Sequence, residues 1–131
     1  MIGIDTNVLL RLLIRDDEVQ FARLVAHIEA GAWAGGVVVN LVVLVEAVWV
    51  LTKQLRRPKP EVIGFIEDLL ATDGLSLQQE SLVVRALAIW RTAKCDFADC
   101  LIAELDREAG ATTTLTYDED ALLLPAFSPV P

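Results

Sequence analysis

The stretch that decides the fold is the opening of the chain, MIGIDTNVLLR at residues 1–11. Its first four residues carry no charge and are followed by Asp5, a pattern that predicts a short buried strand over Met1–Ile4 ending at a carboxylate. Leucine and valine then recur at helical spacing, so a helix is predicted over Asn7–Arg15. A strand leading directly into a helix is the repeating unit of α/β domains.

The rest of the chain repeats this alternation. Because parallel neighbours need crossover connections, alternating strands and helices predict an α/β fold: a central, mostly parallel sheet of short strands flanked by helices in three layers. Pro58, Pro60 and Gly110 mark breaks between elements. The predicted helices are Asp17–Ala30, Leu41–Leu55, Glu61–Thr72, Gln79–Thr92 and Phe97–Ala109, and the predicted strands are Val37–Val39, Leu75–Leu77, Ala111–Tyr117 and an edge strand at Phe127–Pro131.

Length and composition indicate one folded domain over residues 1–131. With 54% hydrophobic residues and a mean hydropathy of +0.49, the chain has ample apolar material for one core and is too short for two independent ones. The most apolar stretch, Val37–Leu51, contains Asn40 and Glu46 and is too short to cross a bilayer. No basic leader precedes an apolar run at the N-terminus, so we expect a cytoplasmic protein that does not enter a membrane.

The two cysteines and the charge balance exclude some kinds of site. Cys95 and Cys100 match neither a disulfide framework nor a zinc signature, and we expect both to be reduced packing residues. Nineteen acidic against eleven basic residues give a net charge of −8, which opposes nucleic-acid binding unless a bound metal reverses the local sign. The basic cluster, Lys53–Lys59, is either a solvated helix end or a patch that contacts a phosphate backbone.

Four carboxylates lie where the sequence predicts that a charge is costly. Asp5 follows a buried strand, and it is either a site residue or the N-cap of the next helix. Glu46 is the only residue of Leu41–Leu51 that is not apolar, so this helix is predicted to be buried nearly all round. Asp99 lies among small and apolar residues at the start of a helix. Asp118 follows the last main strand.

Other residues accompany these carboxylates as accessory candidates. Asp96 projects onto the same helical face as Asp99, and the two alternatively form a capping box with a purely structural role. Thr116 and Asp120 flank Asp118 in an acidic turn of a kind that is often simply solvated.

Taken together, the four carboxylates point to a metal site. The carboxyl ends of parallel strands meet at one edge of a sheet, where the four side chains would repel one another unless cations neutralised them. Mg²⁺ or Mn²⁺ suits oxygen ligands and keeps waters for substrate phosphates. Such an ion activates a water and stabilises the leaving oxygen during attack on a phosphodiester.

Four segments of the chain also resemble, in order, the acidic blocks of VapC-type PIN domains. They are IDTNVLLR at 4–11, VE at 45–46, DFADCLIA at 96–103 and LTYD at 115–118. The resemblance implies that Asp5, Glu46, Asp99 and Asp118 form the metal-site quartet, with Asp5 and Asp99 as direct ligands. It further implies that Asp96 is an accessory acid, and that Thr6 and Asn7 are polar neighbours of Asp5.

What the resemblance implies about activity is a Mg²⁺- or Mn²⁺-dependent endoribonuclease that acts as a toxin. The implied partners are an RNA substrate, a second copy in a homodimer, and a VapB-like antitoxin that occupies the site. DNA would be contacted only indirectly, through the antitoxin.

Two alternatives stay open at this point. The first is a non-catalytic dimeric partner in a DNA-binding autoregulatory complex. The second is an aspartyl-phosphate phosphatase of the haloacid dehalogenase kind, which also places Asp after the first strand. Such phosphatases need another Asp two positions later, where this chain has Asn7.

Overall fold

A computed structural model describes all 131 residues of the protein. The chain divides into two compact units, residues 1–78 and residues 79–131. Each unit contains helices and a parallel sheet of its own. The expectation that residues 1–131 form one domain stays a prediction.

The first unit is built on a three-stranded parallel sheet with the order β1-β2-β3. The register pairs Ile2 with Val37 and Val37 with Leu75. The strands are β1 (Ile2–Gly3), β2 (Val37–Val39) and β3 (Leu75–Leu77), and the helices are α1 (Thr6–Leu13), α2 (Glu18–Glu29), α3 (Leu41–Trp49) and α4 (Lys59–Ala71).

Local capping explains where α3 begins, and a change of helix type explains where it ends. The Asn40 side chain accepts a hydrogen bond from the backbone N–H of Val43 at 2.9 Å, as an N-cap does. The predicted continuous helix ends at Trp49, after which Val50–Gln54 form a π-helical segment. Within that segment the Thr52 hydroxyl donates to a carbonyl of the preceding turn, a side-chain bond that competes with regular helix geometry.

The second unit pairs two helices beside a two-stranded parallel sheet. Its elements are α5 (Glu80–Trp90), α6 (Phe97–Glu108), β4 (Thr114–Thr116), a 3₁₀ turn (Ala121–Leu123) and β5 (Phe127–Pro129). Helices α5 and α6 pack together, and the Trp90 and Phe97 rings meet edge to face at their junction with centroids 5.4 Å apart.

These observations confirm the predicted α/β class with short parallel strands. Val37–Val39 and Leu75–Leu77 are strands as predicted. Every predicted helix is present with its ends shifted by at most two residues, except that α3 ends at Trp49 instead of Leu55. The strands fall into two sheets, one in each unit, and the 3₁₀ turn was not predicted. No helix combines the length and the apolar character that crossing a bilayer requires.

Candidate functional site

Asp5 lies directly before α1 and caps it. Its backbone is extended, and its Oδ1 accepts a hydrogen bond from the backbone N–H of Val8 at 3.0 Å, so the N-cap interpretation is confirmed. The side chain is exposed, and its Oδ2 makes no hydrogen bond. Because a cap engages only one carboxylate oxygen, capping leaves the other oxygen of Asp5 available to a ligand.

The two polar neighbours of Asp5 differ in their surroundings. Thr6 is the first residue of α1 and is only 9% exposed, one of two polar or charged residues in the buried set. Asn7 is exposed. Of the two, only Asn7 presents its side chain to solvent.

The environment predicted for Glu46 is wrong. Glu46 is exposed, and so are Val42 and Trp49, which lie one turn away on the same side of α3 with 75% and 51% exposure. The opposite side of the helix, which includes Leu44 and Ala47, is buried. Apolar composition did not show that this helix is covered on one side only, so burial no longer singles out Glu46. The reason that remains for choosing Glu46 as a site residue is its place in the VE motif at 45–46.

Asp96 and Asp99 form the capping box at the start of α6. The Asp96 side chain accepts from the backbone N–H of Asp99, and the Asp99 Oδ2 accepts from the backbone N–H of Asp96 at 3.3 Å. The capping box, which was the structural alternative to a site role for this pair, is therefore observed, and it involves Asp99 as well as Asp96. Asp99 is half-buried, in contrast to the exposed Asp5.

Asp118 organises the turn that follows β4. Its Oδ1 accepts hydrogen bonds from the backbone N–H groups of Asp120 at 2.8 Å and Ala121 at 3.0 Å, which begins the 3₁₀ turn. The Asp118 N–H in turn donates to the Thr116 hydroxyl at 3.0 Å. The Asp118 Oδ2 makes no hydrogen bond, and the residue is exposed. Thr116 and Asp120 thus hold the segment that carries Asp118.

Asp99 and Asp118 share a neighbour, the thiol of Cys95. Burial raises the pKa of the Cys95 thiol, the hydrogen bond with Cys100 opposes that rise, and the negative charges of Asp99 and Asp118 add to it. The same thiol thus feels both carboxylates. Both charges act on this thiol within the second unit. The expected meeting of Asp99 and Asp118 with Asp5 and Glu46 at one edge of the sheet stays a prediction.

The donor chemistry of these carboxylates fits a hard divalent cation. Mg²⁺ and Mn²⁺ prefer oxygen ligands, and the carboxylate oxygens here are exposed or half-buried. The side chains of Asp5 and Asp118 are already oriented by hydrogen bonds from backbone N–H groups. No group of three or more histidine, cysteine, aspartate or glutamate side chains lies close enough together to hold a metal ion. The residues present thus match the ion in donor type, and the structure does not assemble a complete ligand group.

Part of the basic cluster has a structural role. Arg57 forms an ion pair with Glu61, one helical turn later, at 2.9 Å. Arg56 adopts a left-handed backbone conformation with φ of 52° in the link to α4. The side chain of Arg57 thus stabilises the start of α4. The choice between a solvated helix end and a phosphate-binding patch for the cluster stays a prediction.

One carboxylate in a costly environment was missed by the sequence reasoning. Glu104 on α6 is only 6% exposed, and it accepts a hydrogen bond from Arg85 on α5 at 2.9 Å. Apolar neighbours in sequence do not mark Glu104, because it is buried by the packing of α6 against α5. The sequence does carry a signal for the burial of Glu104, since it lies four residues after Cys100 and three after Leu101, on the same side of α6.

Comparison with known proteins adds two findings. The family model of the PIN domain matches residues 2–126 of the chain, which spans both units. Among solved structures, the crystal structure of Mycobacterium tuberculosis VapC20, a sarcin–ricin loop cleaving toxin, is similar with 17% sequence identity and a TM-score of 0.42, and the match covers 94% of each chain. No curated protein matches.

Proposed function

The chain belongs to the PIN domain family, and from this premise we propose that it is a metal-dependent endoribonuclease of the VapC type. PIN domains are nuclease domains. We propose that the substrate of this one is RNA, that its cofactor is Mg²⁺ or Mn²⁺, and that four acidic residues carry the reaction. Those residues are the motif carboxylates Asp5, Glu46, Asp99 and Asp118.

The observation that supports this proposal best is a feature shared by Asp5 and Asp118. Each follows the end of a strand, and each engages only Oδ1 with backbone N–H groups of the next helical turn. A carboxylate held this way has a fixed orientation and one oxygen without a hydrogen bond. That arrangement suits a ligand that binds through a single oxygen, because little side-chain entropy is lost on binding.

Each motif residue has a role that its surroundings allow. Asp5 offers its Oδ2 as a ligand while its Oδ1 keeps α1 capped. Asp99 is a ligand whose position is set by the capping box with Asp96. The exposed Glu46 and the turn-bound Asp118 would complete the ligand set or orient the attacking water. A bound divalent cation supplies the activation of that water and the stabilisation of the leaving oxygen.

The decisive experiment compares Asp5→Asn with wild type in cleavage of structured RNA in Mg²⁺ or Mn²⁺. Asparagine caps a helix as well as aspartate does, so Asp5→Asn removes the charge and keeps α1 intact. We expect cleavage to fall by about 100-fold or more, because losing a direct ligand should cost at least as much as losing an outer-shell partner. The melting temperature should change little.

Asp17 provides a matched control. Its side chain accepts from the backbone N–H of Gln20 at 3.0 Å and caps α2 in the way that Asp5 caps α1, but it lies outside the four motifs. Asp17→Asn should therefore cleave RNA at the wild-type rate. Equal rates for Asp5→Asn and wild type, or full activity in excess chelator, would contradict the proposed chemistry.

The same proposal includes the setting in which the enzyme acts. We propose a cytoplasmic toxin that forms a homodimer, is inhibited by a VapB-like antitoxin, and contacts DNA only through that antitoxin. Expression of wild type alone should arrest growth, and Asp5→Asn should relieve the arrest. Growth arrest that persists with Asp5→Asn would favour the alternative, a non-catalytic partner in an autoregulatory complex. The phosphatase alternative gains nothing, since the position two after Asp5 is the exposed Asn7.

A further inference from the structure

The only two cysteines of the chain face each other at the start of α6. The Sγ atoms of Cys95 and Cys100 are 3.8 Å apart, and the two residues are 4% and 0% exposed. A disulfide joins two sulfurs at about 2 Å, so oxidation would require each Sγ to move by roughly 1 Å.

The contact follows from the geometry of the helix start. Cys95 immediately precedes the N-cap, Asp96, and Cys100 lies four residues after that cap. These are the two positions that pack against each other in a hydrophobic staple. The backbone between them is held by the capping box and by the bonds that Asp99 N–H and Cys100 N–H donate to the Asp96 carbonyl. The sulfurs therefore stay in contact for as long as this turn is formed.

We propose that Cys95 and Cys100 are a modification site, at which a peroxide converts the dithiol to an intramolecular disulfide. One thiol is oxidised by the peroxide to a sulfenic acid with release of water, and the second thiol displaces the hydroxyl as a further water to form the S–S bond. Thiol reductants reverse the step by thiol–disulfide exchange, which returns both cysteines to thiols and converts the reductant to its own disulfide. The oxidant must be small, since neither sulfur is open to a bulky disulfide.

The consequence of this disulfide is local. The new bond ties the residue before the cap to the first turn of α6, which is the segment that carries Asp99. Fraying of that turn requires the two cysteine side chains to separate, and the covalent bond prevents it. Oxidation therefore fixes the turn in which Asp99 is held. This consequence is independent of the proposed ribonuclease activity.

The test uses the folded wild-type chain and Cys100→Ala. Each is treated with hydrogen peroxide, unfolded, alkylated and cleaved after Lys94 and Arg107, which releases both cysteine positions in one peptide, residues 95–107. Wild type should give this peptide without alkylation and lighter by two hydrogens, and dithiothreitol should restore both alkylation sites. Cys100→Ala should show no such product, because Cys95 then lacks its partner.

Amide hydrogen exchange supplies the second readout. In the oxidised wild type, the amides of Asp99 and Cys100 should exchange several-fold more slowly than in the reduced protein, and the melting temperature should rise by a few degrees. Two results would overturn the proposal. One is that peroxide gives only sulfinic or sulfonic acids or dimers linked between chains. The other is that the disulfide forms only after the chain is unfolded in urea.

Discussion

The ion pair between Glu104 and Arg85 allows a prediction with a worked magnitude. The Glu104 side chain is 7% exposed, whereas that of Arg85 is 47% exposed and also lies 3.7 Å from Glu108. Arg85→Met leaves the buried carboxylate without its partner. Breaking a fully buried pair costs about 3–5 kcal/mol, and because solvent reaches half of Arg85 we expect about 1–3 kcal/mol of lost stability.

Removing the other partner should cost less. Glu104→Met replaces a buried carboxylate with an apolar side chain of similar length, and Arg85 keeps its exposure and its contact with Glu108. We therefore expect a loss below about 1 kcal/mol. The double variant buries no unpaired charge, so its stability should lie near that of Glu104→Met rather than at the sum of the two single losses.

Urea unfolding followed by circular dichroism at neutral pH measures all four proteins of this cycle. The free energies of unfolding should rank wild type, Glu104→Met and the double variant close together, with Arg85→Met clearly lowest. Equal costs for the two single variants, or a double variant less stable than Arg85→Met, would refute the reasoning. Either result would mean that burial of the Glu104 carboxylate does not determine the energy of the pair.

Two further predictions concern the carboxylates of the proposed site. Asp118→Ala removes the acceptor for two backbone N–H groups and should lower the free energy of unfolding by about 1 kcal/mol. Asp118→Asn keeps an acceptor and should cost less than half of that. Both variants should lose RNA cleavage, and a fully active Asp118→Ala would exclude this residue from the site. Millimolar Mg²⁺ or Mn²⁺ should raise the melting temperature of wild type, and chelation should reverse the rise. The rise in melting temperature should be smaller for Asp5→Asn. Equal rises in the two proteins would contradict Asp5 as a ligand.

The outcome for the candidate site differs from residue to residue. Local sequence patterns offered Asp5 as an N-cap and Asp96 with Asp99 as a capping box, and both caps are observed. For Asp5 and Asp99 the cap is observed and the proposed role as a metal ligand stays a prediction, with which the cap is compatible because it uses only part of a carboxylate. Glu46 is the clear failure, since the sequence around it predicted burial and the structure shows exposure.

The sequence by itself determined the order of the α-helices and β-strands, the α/β class, and the caps at Asp5 and at Asp96 with Asp99. These depend on interactions within a few residues, which periodicity and side-chain type record directly. The VapC-like motifs, being short and ordered, were also readable from the chain alone.

Only the tertiary structure decided which sides of the helices are covered. It showed that α3 leaves Val42, Glu46 and Trp49 exposed, and that Glu104 is buried against Arg85, nineteen residues away. The physical reason is the same in each case. Burial and charge pairing depend on residues distant in sequence, and the local sequence of a helix does not determine which element packs against each of its sides.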